Sequence, residues 1–236
     1  MRWRRSICNL AGLALSLSAL INLQLMAQTI SGAPTNAKVN VKESPLAALQ
    51  SGNAFLSDDL RRMQADVSLN PVQLWVDQGH KLWGTSTQTG SCFSCHGDVQ
   101  KLKGAASRYP QWSEKKQGLV NLEDQILTCT QRTNAPQTSL ENPDVLALSA
   151  VLHAASSGLS FQLDPLQKNK EQWQNALTSG AQLFTTRTGR MNLACTHCHD
   201  QLIGKQMRAD VISPGHPTGF PIFKMSWQSM GSIDRR

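Results

Sequence analysis

Cys195-Thr196-His197-Cys198-His199 sets two thiols three positions apart and follows them at once with an imidazole, which is the attachment pattern of a c-type haem. Cys92-Phe93-Ser94-Cys95-His96 repeats it. Each copy supplies two thiols that can add across the haem vinyl groups and one histidine placed to be the proximal iron ligand. A lone CxxC would equally suit a zinc knuckle or a redox dithiol. Here both copies carry the histidine, and a zinc site made from both pairs would need them in one compact knuckle rather than as far apart as Cys95 and Cys195. The cofactor reading is two covalently bound haems.

The segments ahead of the two motifs are alike. Gly79-His80-Lys81-Leu82-Trp83 matches Gly180-Ala181-Gln182-Leu183-Phe184, thirteen positions before Cys92 in one case and fifteen before Cys195 in the other. Two related units in tandem explain this economically. Helical spacing predicts a helix from Pro71 through Leu74, Gln78, Lys81 and Leu82, with Trp75 and Val76 adding apolar surface and Trp83 closing it, and a second with Trp173, Leu177, Gly180 and Phe184 on one face. Between them, Leu122, Ile126 and Cys129 fall at i, i+4 and i+7, so a helix there puts a thiol on its apolar face. Asn142-Pro143-Asp144 reads as a helix start, with a capping side chain, a proline in the first turn and an acid on the dipole, leading through Val145, Leu148, Val151 and Leu152 to a stop near Gly158. Helix-like pieces also occur at 45–50 and 58–66.

The expected fold is therefore all-α, two tandem cytochrome c-like domains with long loops, each around a covalent haem. Residues 1–27 have a basic opening and an interrupted apolar run, which reads as a signal peptide and implies export to the periplasm. Residues 28–68 read as an N-terminal arm and linker, 69–160 as the first domain and 161–236 as the second, with a linker around Asp164-Pro165. No later stretch is long and apolar enough for a membrane span.

Removing residues 1–27 takes away three arginines and no acid, so 23 basic against 16 acidic residues becomes 20 against 16, a net +4 in place of +7. The remaining basic pairs, Lys101 with Lys103 and Lys115-Lys116, are too short for a nucleic-acid face. Of the six cysteines, Cys8 leaves with the signal peptide and four serve haem, which strands Cys129 in an oxidising compartment.

That thiol has a use. No methionine lies between His96 and Met191, so the sixth position on the first iron falls to Cys129, with His153 and the distant Met63 as the alternatives. A thiolate would hold the potential well below that of a His/Met haem. For the second iron the candidates are His216, Met207, Met225 and Met230, with methionine the default. His197, inside the motif, is read as a surface residue.

Taken together, further strings resemble a family. They are Met63-Gln64-Ala65-Asp66 with Asn70-Pro71, Leu74-Trp75-Val76, Gly104-Ala105-Ala106 with Arg108-Tyr109-Pro110, and Asn121-Leu122-Glu123. Later come Asn192-Leu193-Ala194-Cys195, Gly215-His216-Pro217-Thr218-Gly219-Phe220-Pro221, Ser226-Trp227-Gln228-Ser229-Met230-Gly231-Ser232 and Arg235-Arg236. The chain is similar over nearly all its exported length to SoxA, the dihaem subunit of the SoxAX cytochrome of sulfur-oxidising bacteria.

The resemblance implies an enzyme, an L-cysteine S-thiosulfotransferase, that works with a SoxX-like monohaem cytochrome and joins thiosulfate oxidatively to a cysteine of the carrier protein SoxY, presented as SoxYZ. It implies His96 and Cys129 as ligands of the first haem, His199 as proximal ligand of the second, and Arg236 as a substrate-binding arginine. The family's persulfide cysteine, a few residues beyond the arginine pair, is not present, so the second domain is read as cut short at Arg236. A guanidinium suits the dianion because its donor fork matches sulfonate oxygens. Two further readings remain: a dihaem electron-transfer protein without substrate chemistry, and a thiosulfate dehydrogenase.

Overall fold

Asn142-Pro143-Asp144 does start a helix, and the rest of the first half packs on it. The computed structural model describes residues 49–86, 90–132, 137–162, 169–208 and 210–235. The signal-peptide residues, most of the 45–50 piece and the Asp164-Pro165 linker lie outside them. All described residues belong to one compact unit, Val41–Arg236. Seven helices are labelled in chain order: α1 Asp58–Ala65, α2 Val72–Gly84, α3 Cys92–His96, α4 Leu122–Thr130, α5 Pro143–Ala155, α6 Lys170–Thr185 and α7 Thr196–His199.

The side chain of Asn142 accepts from the Asp144 N–H, Pro143 occupies the first turn and Asp144 lies on the positive end of the dipole. From Val145 to Leu152 every residue of α5 is buried, which is the pattern of a helix enclosed on all sides rather than of an amphipathic one. Helix α2 makes its most extensive packing against α5, and α4 also lies on it. At the crossing, a Cβ on Gly79 would stand 2.2 Å from the carbonyl oxygen of Ala147, so only glycine lets the two backbones come this close.

That contact fixes which side of α2 is buried. Val76, Gly79 and Trp83 face the core, flanked by Val72, Trp75 and Leu82, whereas Leu74 is 74% exposed. The helix read from Pro71 to Trp83 forms, but its apolar seam is turned away from the expected line through Leu74 because Gly79 has to meet α5. Helix α1 matches the 58–66 expectation, capped by Ser57, with Asp58 paired to Arg61 and Asp59 to Arg62 and no residue buried. Helix α4 forms with its face as read: Leu122 and Ile126 are buried and Cys129 is half-buried.

The connections are not wholly irregular, and the all-α expectation is corrected here. Among the described residues, three antiparallel two-stranded ladders occur: β1 Gln111–Ser113 with β2 Gly118–Val120, β3 Gln206–Met207 with β4 Asp210–Val211, and β5 Ile222–Lys224 with β6 Ser229–Gly231. Extended backbone that leaves a helix still has N–H and C=O groups to satisfy, and a neighbouring strand does so most locally. In the last ladder Phe223 pairs with Met230, and both join the core around α5.

Helix α6 forms as predicted but is less covered. Trp173 is buried, Leu177 and Phe184 are half-buried, and Gly180 is exposed with nothing within 4 Å of where its Cβ would be. The two matching glycines of the repeated segment thus have opposite surroundings. Gly79→Ala is expected to destabilise the haem-loaded protein by about 1–3 kcal/mol through overpacking, and Gly180→Ala to stabilise it by about 0.5–1 kcal/mol through backbone entropy. Denaturant unfolding midpoints check both.

Candidate haem sites

The first motif is itself a short helix. The Ser91 hydroxyl accepts from the Ser94 N–H while the Ser94 hydroxyl takes the Ser91 N–H, a reciprocal cap that starts α3. Gly97, at φ 68°, ends it one residue after His96. Trp83, at the close of α2, donates its indole N–H to the Gly97 carbonyl at 2.9 Å and holds its rings 6.0 Å from the imidazole of His96. The tryptophan therefore braces the motif against the core, a role that the repeated glycine-to-aromatic string signals only once its helix is placed.

Helix α4 brings Cys129 to this motif. Burial pushes the Cys92 thiol up, and the nearby charge of Cys129 and then that of Cys95 add to the shift. Tyr109 is raised likewise, first by burial and then by Cys129. Gln125 donates through its Nε2 to the Cys129 sulfur at 3.5 Å. His153 is elsewhere occupied: its Nδ1 lies 2.9 Å from the Ser149 carbonyl, and its ring lines a cleft whose walls include no residue of Cys92–His96. Met63 sits on α1, which contributes nothing to the core.

The second motif is held differently. His199, at the end of α7, places Nδ1 2.7 Å from the carbonyl oxygen of Ser213, which can only accept; Nδ1 therefore carries the proton and Nε2 keeps its lone pair. Gly215 lies against the ring, where a Cβ would come within 3.0 Å of Nδ1. The loop is returned to this position by the β3–β4 ladder and by Gly204 and Lys205 bonding to Ile212. A backbone carbonyl on Nδ1 is the usual device for orienting a metal-binding imidazole. His197 folds back on its own turn, with Nδ1 accepting from the Ala194 N–H at 3.0 Å.

Of the candidates for the second distal position, Met230 is fully buried in the α5 core opposite Phe223, which removes it. Met207 and Met225 are 48% and 66% exposed. His216 accepts from the Gln50 N–H at 2.8 Å through Nδ1. Arg236 lies outside the described residues. Its neighbour Arg235 stacks on Trp227 at 4.6 Å and donates to the Ser229 hydroxyl and the Met230 carbonyl.

These residues fit c-type haem. Cys92, Cys95, Cys129, Cys195 and Cys198 are free thiols, and the oriented imidazole of His199 stands in a segment flanked by Leu183, Met191, Leu193, Leu202 and Ile203, all large apolar side chains facing outward. Such surface suits contact with a porphyrin face better than contact with water. Among the described residues, no helix is long and apolar enough to cross a membrane.

Comparison with known proteins agrees with this geometry. The SoxA/TsdA cytochrome c domain matches residues 78–161, from within α2 past the end of α5. The protein is thus a c-type cytochrome, of the class that binds its haem covalently. Two relatives bear the description L-cysteine S-thiosulfotransferase subunit SoxA. That of Pseudaminobacter salicylatoxidans is 31% identical over 190 residues, 79% of this chain and 65% of the relative. That of Chlorobaculum tepidum is 30% identical over 205 residues, 83% of this chain and 68% of the relative. The crystal structure of SoxXA from P. pantotrophus shares the fold, with a TM-score of 0.66 at 24% identity over 78% of this chain and 70% of the other. The chain belongs to the SoxA family, and it spans about two thirds of the length of these relatives.

Because Met230 is core and Met225 is not, Met230→Ala is expected to cost about 2–5 kcal/mol of stability, whereas Met225→Ala should stay within about 0.5 kcal/mol. Guanidinium denaturation of the two variants separates them.

Proposed function

We propose that this chain is the periplasmic, dihaem subunit of a thiosulfate-conjugating enzyme, carrying two tandem cytochrome c domains, 69–160 and 161–236, behind a signal peptide (1–27) and an arm (28–68). What supports the reading is that α4 carries the half-buried Cys129 on the same face as the buried Leu122 and Ile126. Cys92 and Cys95 would hold the first haem covalently, with His96 and Cys129 as its iron ligands. Cys195 and Cys198 hold the second, with His199 on its iron.

The reaction joins a thiol to a dianion. A SoxY cysteine and thiosulfate give a cysteine S-thiosulfonate, with one S–S bond formed, the thiol proton lost and two electrons released. Bound haem would supply one-electron redox capacity, and a SoxX-like partner would be the onward acceptor. The chain's own residues do the positioning. The Ser213 carbonyl holds the His199 proton on Nδ1 and keeps Nε2 basic. Trp83 steadies the first motif. Arg236, beside the stacked Arg235, offers donors to the sulfonate oxygens.

Two measurements test this. Haem-loaded protein with its SoxX-like partner should add thiosulfate to SoxY, read by intact mass. Tetrathionate formed without SoxY would instead indicate a dehydrogenase, and electron transfer with neither product would leave a simple carrier. Cys129→Ser should alter the low-spin spectrum and raise the first haem's potential by on the order of 0.1 V, within the roughly 0.8 V over which axial ligands act. An unaltered spectrum and potential would remove Cys129 from the iron.

A further inference from the structure

The cleft that takes in His153 has no residue of either CxxCH string in its described walls, although its Tyr109 also feels Cys129. It measures about 250 Å³ and is walled by Tyr109 and Pro110, by Glu123 of α4 and His153 of α5, and by Pro217 and Phe220 from the loop before β5. That is below the roughly 300–1,000 Å³ of sites for drug-sized ligands, so its occupant is small.

Glu123 is only 4% exposed. Its Oε1 accepts from the Ser149 hydroxyl at 2.6 Å, and no second protein donor reaches the carboxylate among the described residues. A carboxylate has about four acceptor positions, of which Ser149 uses one. His153 stands beside it. Its Nδ1 lies 2.9 Å from the Ser149 carbonyl and 3.3 Å from the Ser149 hydroxyl, so in the neutral ring the proton sits on Nδ1 and Nε2 is an acceptor. The described lining holds no lysine or arginine. The cleft therefore presents spare acceptors and a single formal negative charge within mostly apolar walls.

We propose that this cleft binds a small organic cation, a primary ammonium ion on a short apolar body. The ammonium donates to Glu123 and to Nε2 of neutral His153, and the aliphatic part lies against the apolar wall that Pro110, Pro217, Tyr109 and Phe220 provide. The same electrostatics disfavour an anion beside Glu123.

Isothermal titration of the haem-loaded protein at low salt with n-butylammonium, 1-butanol and butyrate tests the assignment. The ammonium ion should bind about tenfold or more tightly than the neutral or anionic analogue, and Glu123→Gln should weaken it by a similar factor while its amide oxygen still accepts from Ser149. Thr218→Lys, on the half-buried rim of the cleft, should abolish binding by placing a tethered ammonium there. Should Glu123→Gln fail to fold, Thr218→Lys still decides the matter. Absence of binding at millimolar ligand, equal affinity for the three probes, or unchanged affinity in either folded variant overturns the proposal.

Discussion

The near-contact of Gly79 with the Ala147 carbonyl is the constraint on which the first half is built. A side chain at that point would hold α2 off α5, and the indole that closes α2 would then no longer reach the carbonyl that ends the first motif. Local propensity argues against glycine inside a helix by about 1 kcal/mol. Its presence there reflects interhelical distance, and through Trp83 that distance becomes the position of His96.

The second motif reaches a similar end by other means. Its helix is a single turn, its preceding helix α6 has one buried residue, and its histidine is set by a loop carbonyl. An imidazole aimed by a backbone oxygen depends on the loop that supplies it, here returned by the β3–β4 ladder and kept close by Gly215. The two irons of the proposed protein would thus sit in surroundings of different stiffness, the first against a closed helical core and the second against a turn-rich strap.

Much of this was legible in the sequence, because the signals were local. Both CxxCH strings, the Asn142-Pro143-Asp144 cap and the Leu122–Ile126–Cys129 face each depend on residues within a few turns of one another. What failed depended on distant partners. Leu74 looked like core until the demand of Gly79 for α5 turned the helix, and Met230 looked like a ligand until its cross-strand pairing with Phe223 buried it. The ladders were missed because each strand is two or three residues long, too short to show alternation. Glu123 left one trace, an acid inside an apolar helical start, which gains meaning only beside Ser149, twenty-six residues later.

The described ends of the chain are stapled across the middle. The Asn121 amide, beside the cap of α4, donates to Asp234; Glu141, just ahead of α5, accepts twice from Ser232; and Gln50 bonds to His216. These ties join stretches 113, 91 and 166 positions apart. Heating the molecule should accordingly produce one cooperative melt rather than two separate ones, since neither half can come apart without breaking links that the other half anchors.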